Sequence, residues 1–184
     1  WNNAVEKYKL SEIRKKMEDY NKTHFETKKG IAVMPMCFGI SFTTTYMNQA
    51  SALVHVYIDG SISVSTGGVE MGQGLKSNIA GIVAKGFGIR EHRIKIESTN
   101  TTRVANMSPS AASATTALNG NATLIAIEQV LDRLKSMVAK ELGVQDTGRI
   151  TIVDEMVFCD GRETDWTWDR LVQTAHLNRI DLSA

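Results

Sequence analysis

Cysteine is nearly absent from this chain: Cys37 and Cys159 are the only two in 184 residues. That count excludes a disulfide-stapled scaffold, a CxxC redox pair and a cysteine-built zinc or iron–sulfur centre, and leaves two reduced, mostly buried thiols as the expectation. An excess of one charge is missing too. Lys plus Arg total 21 against 20 Asp plus Glu, a net charge of +1, so no bulk field attracts nucleic acid or an anionic membrane. No apolar run approaches the ~20 residues that cross a bilayer. The opening Trp-Asn-Asn-Ala lacks both Met and the apolar stretch of a signal peptide, and a chain running from Trp1 to Ala184 is expected to be a piece of something longer. Catalytic signatures are also wanting. There is no HExxH and no defensible Ser–His–Asp set, and His24, His55, His92 and His176 have no partners at ligand spacing. His55 reads as a sheet-face residue.

What is present is enough apolar material for a core, 42% of residues, with an ordinary 22% charged. Residues 4–21 carry Val5, Tyr8, Ile13, Met17 and Tyr20 among abundant Glu, Lys and Arg, which predicts a surface helix with one narrow apolar stripe. From Lys29 the texture turns β-branched and aromatic, predicting strands at 31–34 and 37–46 around Pro35. Residues 53–58 and 61–65 read as a hairpin about Asp59-Gly60, with period-two alternation in the second strand. A helix follows through Leu75, Ile79, Ile82 and Val83, stopping at Gly86 or Gly88. Residues 93–97 alternate as a strand that exposes its charges. A long helix with Leu124, Ile127, Leu131, Leu134 and Val138 on one face ends at Gly143. Short strands at 150–153 and 155–158, a turn at Asp160-Gly161 and a helix through Trp168, Leu171, Val172 and Ala175 complete the chain. The predicted fold class is α+β: a mixed, largely antiparallel sheet with two main helices packed on it and short terminal helices. The expected organisation is a helical lead-in over 1–28, an α+β core over 29–160, and a C-terminal helix and exit segment over 161–184.

Two loops could carry chemistry. Residues 66–74, Thr-Gly-Gly-Val-Glu-Met-Gly-Gln-Gly, hold four glycines in nine positions between a strand and a helix. Such a loop can turn unpaired amides toward an anion, or it can simply be a tight turn. It has neither the Lys-Ser/Thr of a P-loop nor, as a hairpin strand's continuation, the setting of a βαβ unit. Gln73 adds an amide that donates and accepts at once, whereas Glu70 would repel an anion unless it points away or caps the helix. The second loop, Ser108 to Thr116, is rich in small and hydroxyl residues. It can approach a ligand closely, or serve only as an N-cap with tight helix packing. Gly120 within the next helix implies that a strand or a bound group packs closely there, since Gly costs ~1 kcal/mol against Ala in a helix.

In this order the two loops resemble the molybdopterin-binding domain of the xanthine dehydrogenase and aldehyde oxidase family of molybdenum hydroxylases, with the closer likeness to the xanthine dehydrogenases. The carrying residues are 67–74 (GGVEMGQG), Thr99-Asn100-Thr101, 108–113 (SPSAAS) and Leu118-Asn119-Gly120. Residues 38–42, 48–50, 54–57 and 177–184 agree as well, so the resemblance runs almost end to end. It implies a cofactor whose molybdenum is held by the pterin dithiolene, with no protein metal ligand, and whose pterin carries or lacks a cytosine nucleotide. By position, Met71, Gly72 and Gln73 would contact the pterin from one side and Ala112, Ser113, Ala114 and Thr115 from the other, with Ala112 leaving room for substrate. Thr115 stands where relatives often have Ser, and Val69 where Thr is common.

The implied reaction places a water-derived oxygen on an electron-poor carbon of a purine such as hypoxanthine or xanthine, with a glutamate base. Electrons would leave through [2Fe-2S] clusters and FAD. The glutamate's motif, the substrate-clamping segments and the cluster cysteines are not in these 184 residues. The resemblance therefore implies a cytoplasmic, dimeric enzyme whose other molybdenum-domain segments, iron–sulfur and FAD domains or subunits are the partners, and a piece that is inactive alone. Nucleic acid and membrane are not expected partners. Two further readings stay open beside this one: a stand-alone phosphate- or nucleotide-binding module, and a structural or assembly domain in which both loops merely pack. Within the family, an aldehyde oxidase-type hydroxylase is the alternative.

Overall fold

The charged opening stretch folds as two helices instead of one. Lys9 adopts a left-handed conformation (φ 49°) between α1 (Asn2–Lys7) and α2 (Leu10–Thr23). A computed structural model describes all of residues 1–184 and divides them into two compact units, 1–38 and 39–184. In the first unit the Asn21 side chain clamps Lys29, donating to its carbonyl at 2.8 Å and accepting from its N–H at 2.8 Å. His24 stacks on Tyr20 with ring centroids 3.7 Å apart. No residue of this unit is buried.

The strands predicted at 31–34 and 37–46 do not form. The region is without regular structure apart from a single helical turn at Thr45–Met47, and Met34, Met36 and Phe38 are 74–85% exposed. β propensity describes fit to a partner strand and a covered face, and neither is supplied here.

In the second unit, the hairpin about Asp59-Gly60 pairs β1 (Ala52–Val56) antiparallel with β2 (Ile62–Thr66), Val54 opposite Val64. Helix α3 (Leu75–Phe87) then crosses over, and β3 (Ile94–Ile96) pairs parallel with β2. The glycine-rich loop therefore does lie in a βαβ unit, because β2 serves the hairpin on one edge and the crossover on the other. Ser63 and Ser65 are buried with their apolar neighbours, so β2 is covered on both faces and its alternation is not an inside–outside pattern. The second edge of β1 is filled by the chain's last residues: Val54 and Val56 donate to the carbonyls of Ala184 and Leu182 at 2.8 and 2.9 Å, with His55 opposite Ser183.

The long helix α4 (Thr115–Glu141) runs against α3. Their approach is close: a β-carbon at Gly120 would lie 2.7 Å from Ile82 Cδ1, and one at Gly86 3.0 Å from Ile127 Cδ1. What packs on Gly120 is thus a helix, neither the strand nor the ligand that its position suggested. The single expected sheet is in fact two. β4 (Ile150–Val153), β5 (Met156–Cys159) and β6 (Arg162–Thr167) form a separate antiparallel meander. Its turns, Asp154-Glu155 and Asp160-Gly161, both take positive φ at both residues, the geometry that suits two-residue hairpins. Helix α5 (Trp168–Leu177) follows directly. Trp168 is fully buried, 5.5 Å from Phe87 between ring centroids, and its indole N–H donates to the Gly60 carbonyl at 2.8 Å. The core of this unit is one cluster running from β1, β2, α3 and α4 to β4, β5 and α5.

Arg93 departs from the expected exposed charge. Its side chain is 17% exposed and forms two forked ion pairs, with Glu155 at 2.8 and 3.0 Å and with Asp169 at 2.7 and 3.3 Å. The guanidinium holds the Glu155 carboxyl below the ordinary carboxylate range.

Candidate functional site

The glycine-rich loop leaves β2 and enters α3 with the amides of Met71, Gly72 and Gly74 already satisfied from within. The Glu70 carboxylate turns back onto the helix start. One oxygen accepts from the N–H groups of Gly72 and Gly74 at 2.8 and 3.1 Å, and the other from Lys76 at 3.0 Å. These amides, Lys76 foremost, lower the Glu70 pKa. An anion is what the start of a helix favours, and here the chain provides its own. Of the two ways open to Glu70 in the sequence, repelling an anion or capping the helix, the structure shows the cap. Gln73 completes the closure, its side-chain oxygen accepting from Met71 N–H at 2.6 Å and its nitrogen donating to the Val69 carbonyl at 2.7 Å. One Gln73 N–H and one carbonyl lone pair remain on an exposed side chain. Met71 is 68% exposed, and the space beside Gly72 and Gly74 is open.

The second loop is constructed in the opposite way. Ala112 and Ser113 both adopt left-handed conformations, φ 54° and 52°, at a cost of about 1–2 kcal/mol each for L-residues. The Ala112 carbonyl accepts from Ser41 N–H at 2.9 Å. Ala114, the residue at the start of α4, is buried and offers no capping side chain, so the expected Ser/Thr cap is absent. The N–H groups of Thr115, Thr116 and Ala117 have no acceptor in the protein. Ala112 and Ser113 are exposed and Thr115 is half-buried.

The fold sets these two loops against each other. Val69 N–H donates to Ser110 Oγ at 2.7 Å. Gly68 is so close to α4 that a β-carbon there would lie 3.0 Å from Thr115 Cγ2 and 3.2 Å from Asn119 Nδ2. Thr99, arriving from β3, donates its hydroxyl toward the carbonyls of Gly68 (2.7 Å) and Thr66 (3.2 Å). Asn119 is fully buried. Its Nδ2 donates to the Thr115 carbonyl at 2.9 Å, while its Oδ1 is the one buried side-chain polar atom without a partner. Beside the loops, Gly67, Val69, Met107 and Ser108-Pro109-Ser110 line a cleft of about 410 Å³. The structure thus joins the loops at Val69–Ser110 and Gly68–Thr115, while Met71, Gly72 and Gln73 make their hydrogen bonds within their own loop.

Among the motif residues of the sequence, Ser110, Thr99 and Asn119 were given no role; Ser110 ties the two loops, and Thr99 holds the glycine-rich loop to β3. The signal available for Asn119 was a poor helix former beside a glycine inside a long helix. No group of three or more His, Cys, Asp or Glu is placed so that it could hold a metal ion, and no helix is long and apolar enough to cross a membrane.

The loops' donor set matches a ligand that brings acceptor oxygens: three open amides at a helix start, the Ser113 and Thr115 hydroxyls and a spare Gln73 N–H. Comparison with known proteins agrees. The family model described as the molybdopterin cofactor-binding domain matches residues 3–184. Xanthine dehydrogenase of Emericella nidulans is 46% identical over 135 residues, 73% of this chain and 10% of that protein. Xanthine dehydrogenase of Oryza sativa subsp. japonica is 39% identical over 184 residues, all of this chain and 12% of that protein. The chain thus spans about a tenth of the curated relatives it matches. Among solved structures, the reconstituted CO dehydrogenase from Oligotropha carboxidovorans superposes with a TM-score of 0.64 at 24% identity, over 74% of this chain and 18% of the other. Quinoline 2-oxidoreductase from Pseudomonas putida 86 gives the same score at 21% identity over 73% and 18%. These two show a shared fold. From the family match and the end-to-end relatives, the chain belongs to the molybdopterin cofactor-binding domain family.

Proposed function

We propose that residues 1–184 are the part of a xanthine dehydrogenase-type molybdenum hydroxylase that clasps the cofactor between the glycine-rich loop and the start of α4. The observation that carries this reading is the contrast between the two loops. One is closed by its own Glu70 and Gln73 and offers a shaped, exposed edge. The other, a few ångströms away, leaves three helix-start amides and two hydroxyls open. In this arrangement Thr115, Thr116 and Ala117 N–H with the Ser113 and Thr115 hydroxyls receive the phosphate. Met71, Gly72 and the spare Gln73 amide meet the pterin, the exposed Ala112 keeps the approach free of bulk, and the buried Ala114 holds the start of α4 in place. The orphaned Asn119 Oδ1 is an acceptor, so a ligand N–H would meet it and the phosphate would not. When bound, the molybdenum cofactor supplies the redox centre for hydroxylation; this chain's residues hold and orient it.

The relatives' names support xanthine as substrate; hypoxanthine as a second purine and a cytoplasmic location complete the proposal. [2Fe-2S] and FAD would reside on other domains or subunits, and the whole enzyme would be dimeric. The catalytic base belongs to another part of the protein. The exposed Ile31–Phe38 stretch is the surface through which the remaining molybdenum-domain segments are met.

The test is the Gln73→Ala and Ser113→Ala pair in the full-length protein. Each is expected to lower molybdenum retained per subunit several-fold, in parallel with xanthine turnover. Unchanged metal content in both variants would sink the cofactor role.

A further inference from the structure

We propose that Glu70 is a positioning residue that acts as a built-in anion: by occupying the start of α3 it fixes the shape of the glycine-rich loop before the cofactor arrives and directs the cofactor's phosphate to α4 instead. The proposal rests on the cofactor reading above.

Three features carry it. First, Glu70 lies only two to six residues from its partners Gly72, Gly74 and Lys76, yet spans them with both oxygens at 2.8, 3.1 and 3.0 Å. Carboxylate-to-amide bonds of this kind are about twice as strong as neutral ones, and they claim the amides that a phosphate at this helix would need. Second, the tip of the loop relies on this closure for its shape, because the ties to neighbouring elements, Val69 N–H to Ser110 Oγ and Thr99 Oγ1 to the Gly68 carbonyl, stop at Val69. Gly72 and Gly74 take φ 98° and 80°, open space lies beside both, and the loop's other internal ties are the two made by Gln73. Third, the neighbouring helix start is arranged the other way. α4 has no capping side chain and three amides without acceptors. A negative charge already seated at one of two adjacent helix starts repels a second from that start and leaves the other as the available seat.

The experiment compares full-length parent, Glu70→Ala, Glu70→Gln and Gln73→Ala proteins by peptide-level hydrogen exchange and by molybdenum content. In Glu70→Ala, exchange across residues 69–78 of the cofactor-free protein is expected to accelerate at least about tenfold, while peptides from the α4 core (residues 126–138) stay as protected as in the parent. Added acetate should slow that exchange in Glu70→Ala and leave the parent unaffected, since the probe takes the vacated carboxylate's place. Glu70→Gln keeps one acceptor oxygen and should fall between, which also serves as the working variant if Glu70→Ala loses protection in the α4 core. Molybdenum content should fall in the same order. The proposal is overturned if exchange over 69–78 is unchanged in both Glu70 variants, or if it rises while molybdenum content stays at the parent level. Molybdenum loss in Gln73→Ala but not in the Glu70 variants would refute this role and leave the cofactor reading standing. No loss in any variant would refute both.

Discussion

Arg93 shows how much a single side chain can join. It precedes β3, yet its partners sit in the β4–β5 turn and at the first turn of α5, so one guanidinium ties the two sheets to the C-terminal helix. Arg93→Ala leaves the largely covered Glu155 carboxylate without its partner, while the half-exposed Asp169 turns to solvent, and should destabilise the protein by about 1–3 kcal/mol, read from urea unfolding midpoints. The pH dependence has a definite sign. Glu155 has a lowered carboxyl pKa when folded, so its pairing contributes in full above the unfolded value near 4.3 and is lost as pH falls through the lower folded value. The parent should therefore lose stability across that acid window more steeply than Arg93→Ala, in the same urea series repeated from pH 6 to pH 3. Nothing in the sequence separated Arg93 from the exposed Lys95. Strand alternation assigns both to one face, and only the distant Glu155 and Asp169 make Arg93 a covered residue. Gln73 and Ser113 could be singled out for a different reason: their motifs are local, so the groups they can offer are written in adjacent residues.

At the level of elements, helix ends were the most readable signals, because a left-handed residue after a helix is a local demand that glycine meets. Gly88 and Gly143 close α3 and α4 with φ 73° and 67°. They separate two effects. A β-carbon at Gly88 would lie 2.0 Å from the Ile152 carbonyl oxygen, whereas Gly143 has open space. Gly143→Ala should cost about 1 kcal/mol, from backbone conformation alone. Gly88→Ala should cost more than about 3 kcal/mol, because the β4 backbone must also move. Thermal unfolding of the two variants checks the difference. The absent strands over 31–46 and the second sheet were not legible, since both depend on which edges find partners. The same holds for Leu182–Ala184, a short stretch that becomes part of a sheet only because β1 has a free edge.

For the molecule as a whole, burial is uneven. Residues 39–184 hold every buried side chain, and residues 1–38 hold none. A segment without a core relies on covering by other chain to stay ordered. Limited proteolysis should cut the 184-residue chain first between residues 24 and 38, and the same bonds should be protected in the full-length protein; cleavage there at equal rates in both would contradict the surface assigned to Ile31–Phe38. The βαβ unit, α4 and both loops lie wholly within the second unit. The internal seat taken by Glu70 then has a consequence for biogenesis. A loop that reaches its shape without a ligand makes cofactor insertion a docking event. Loading of the cofactor-free enzyme should proceed without a lag, at a rate that rises linearly with cofactor concentration and shows no ceiling set by loop folding.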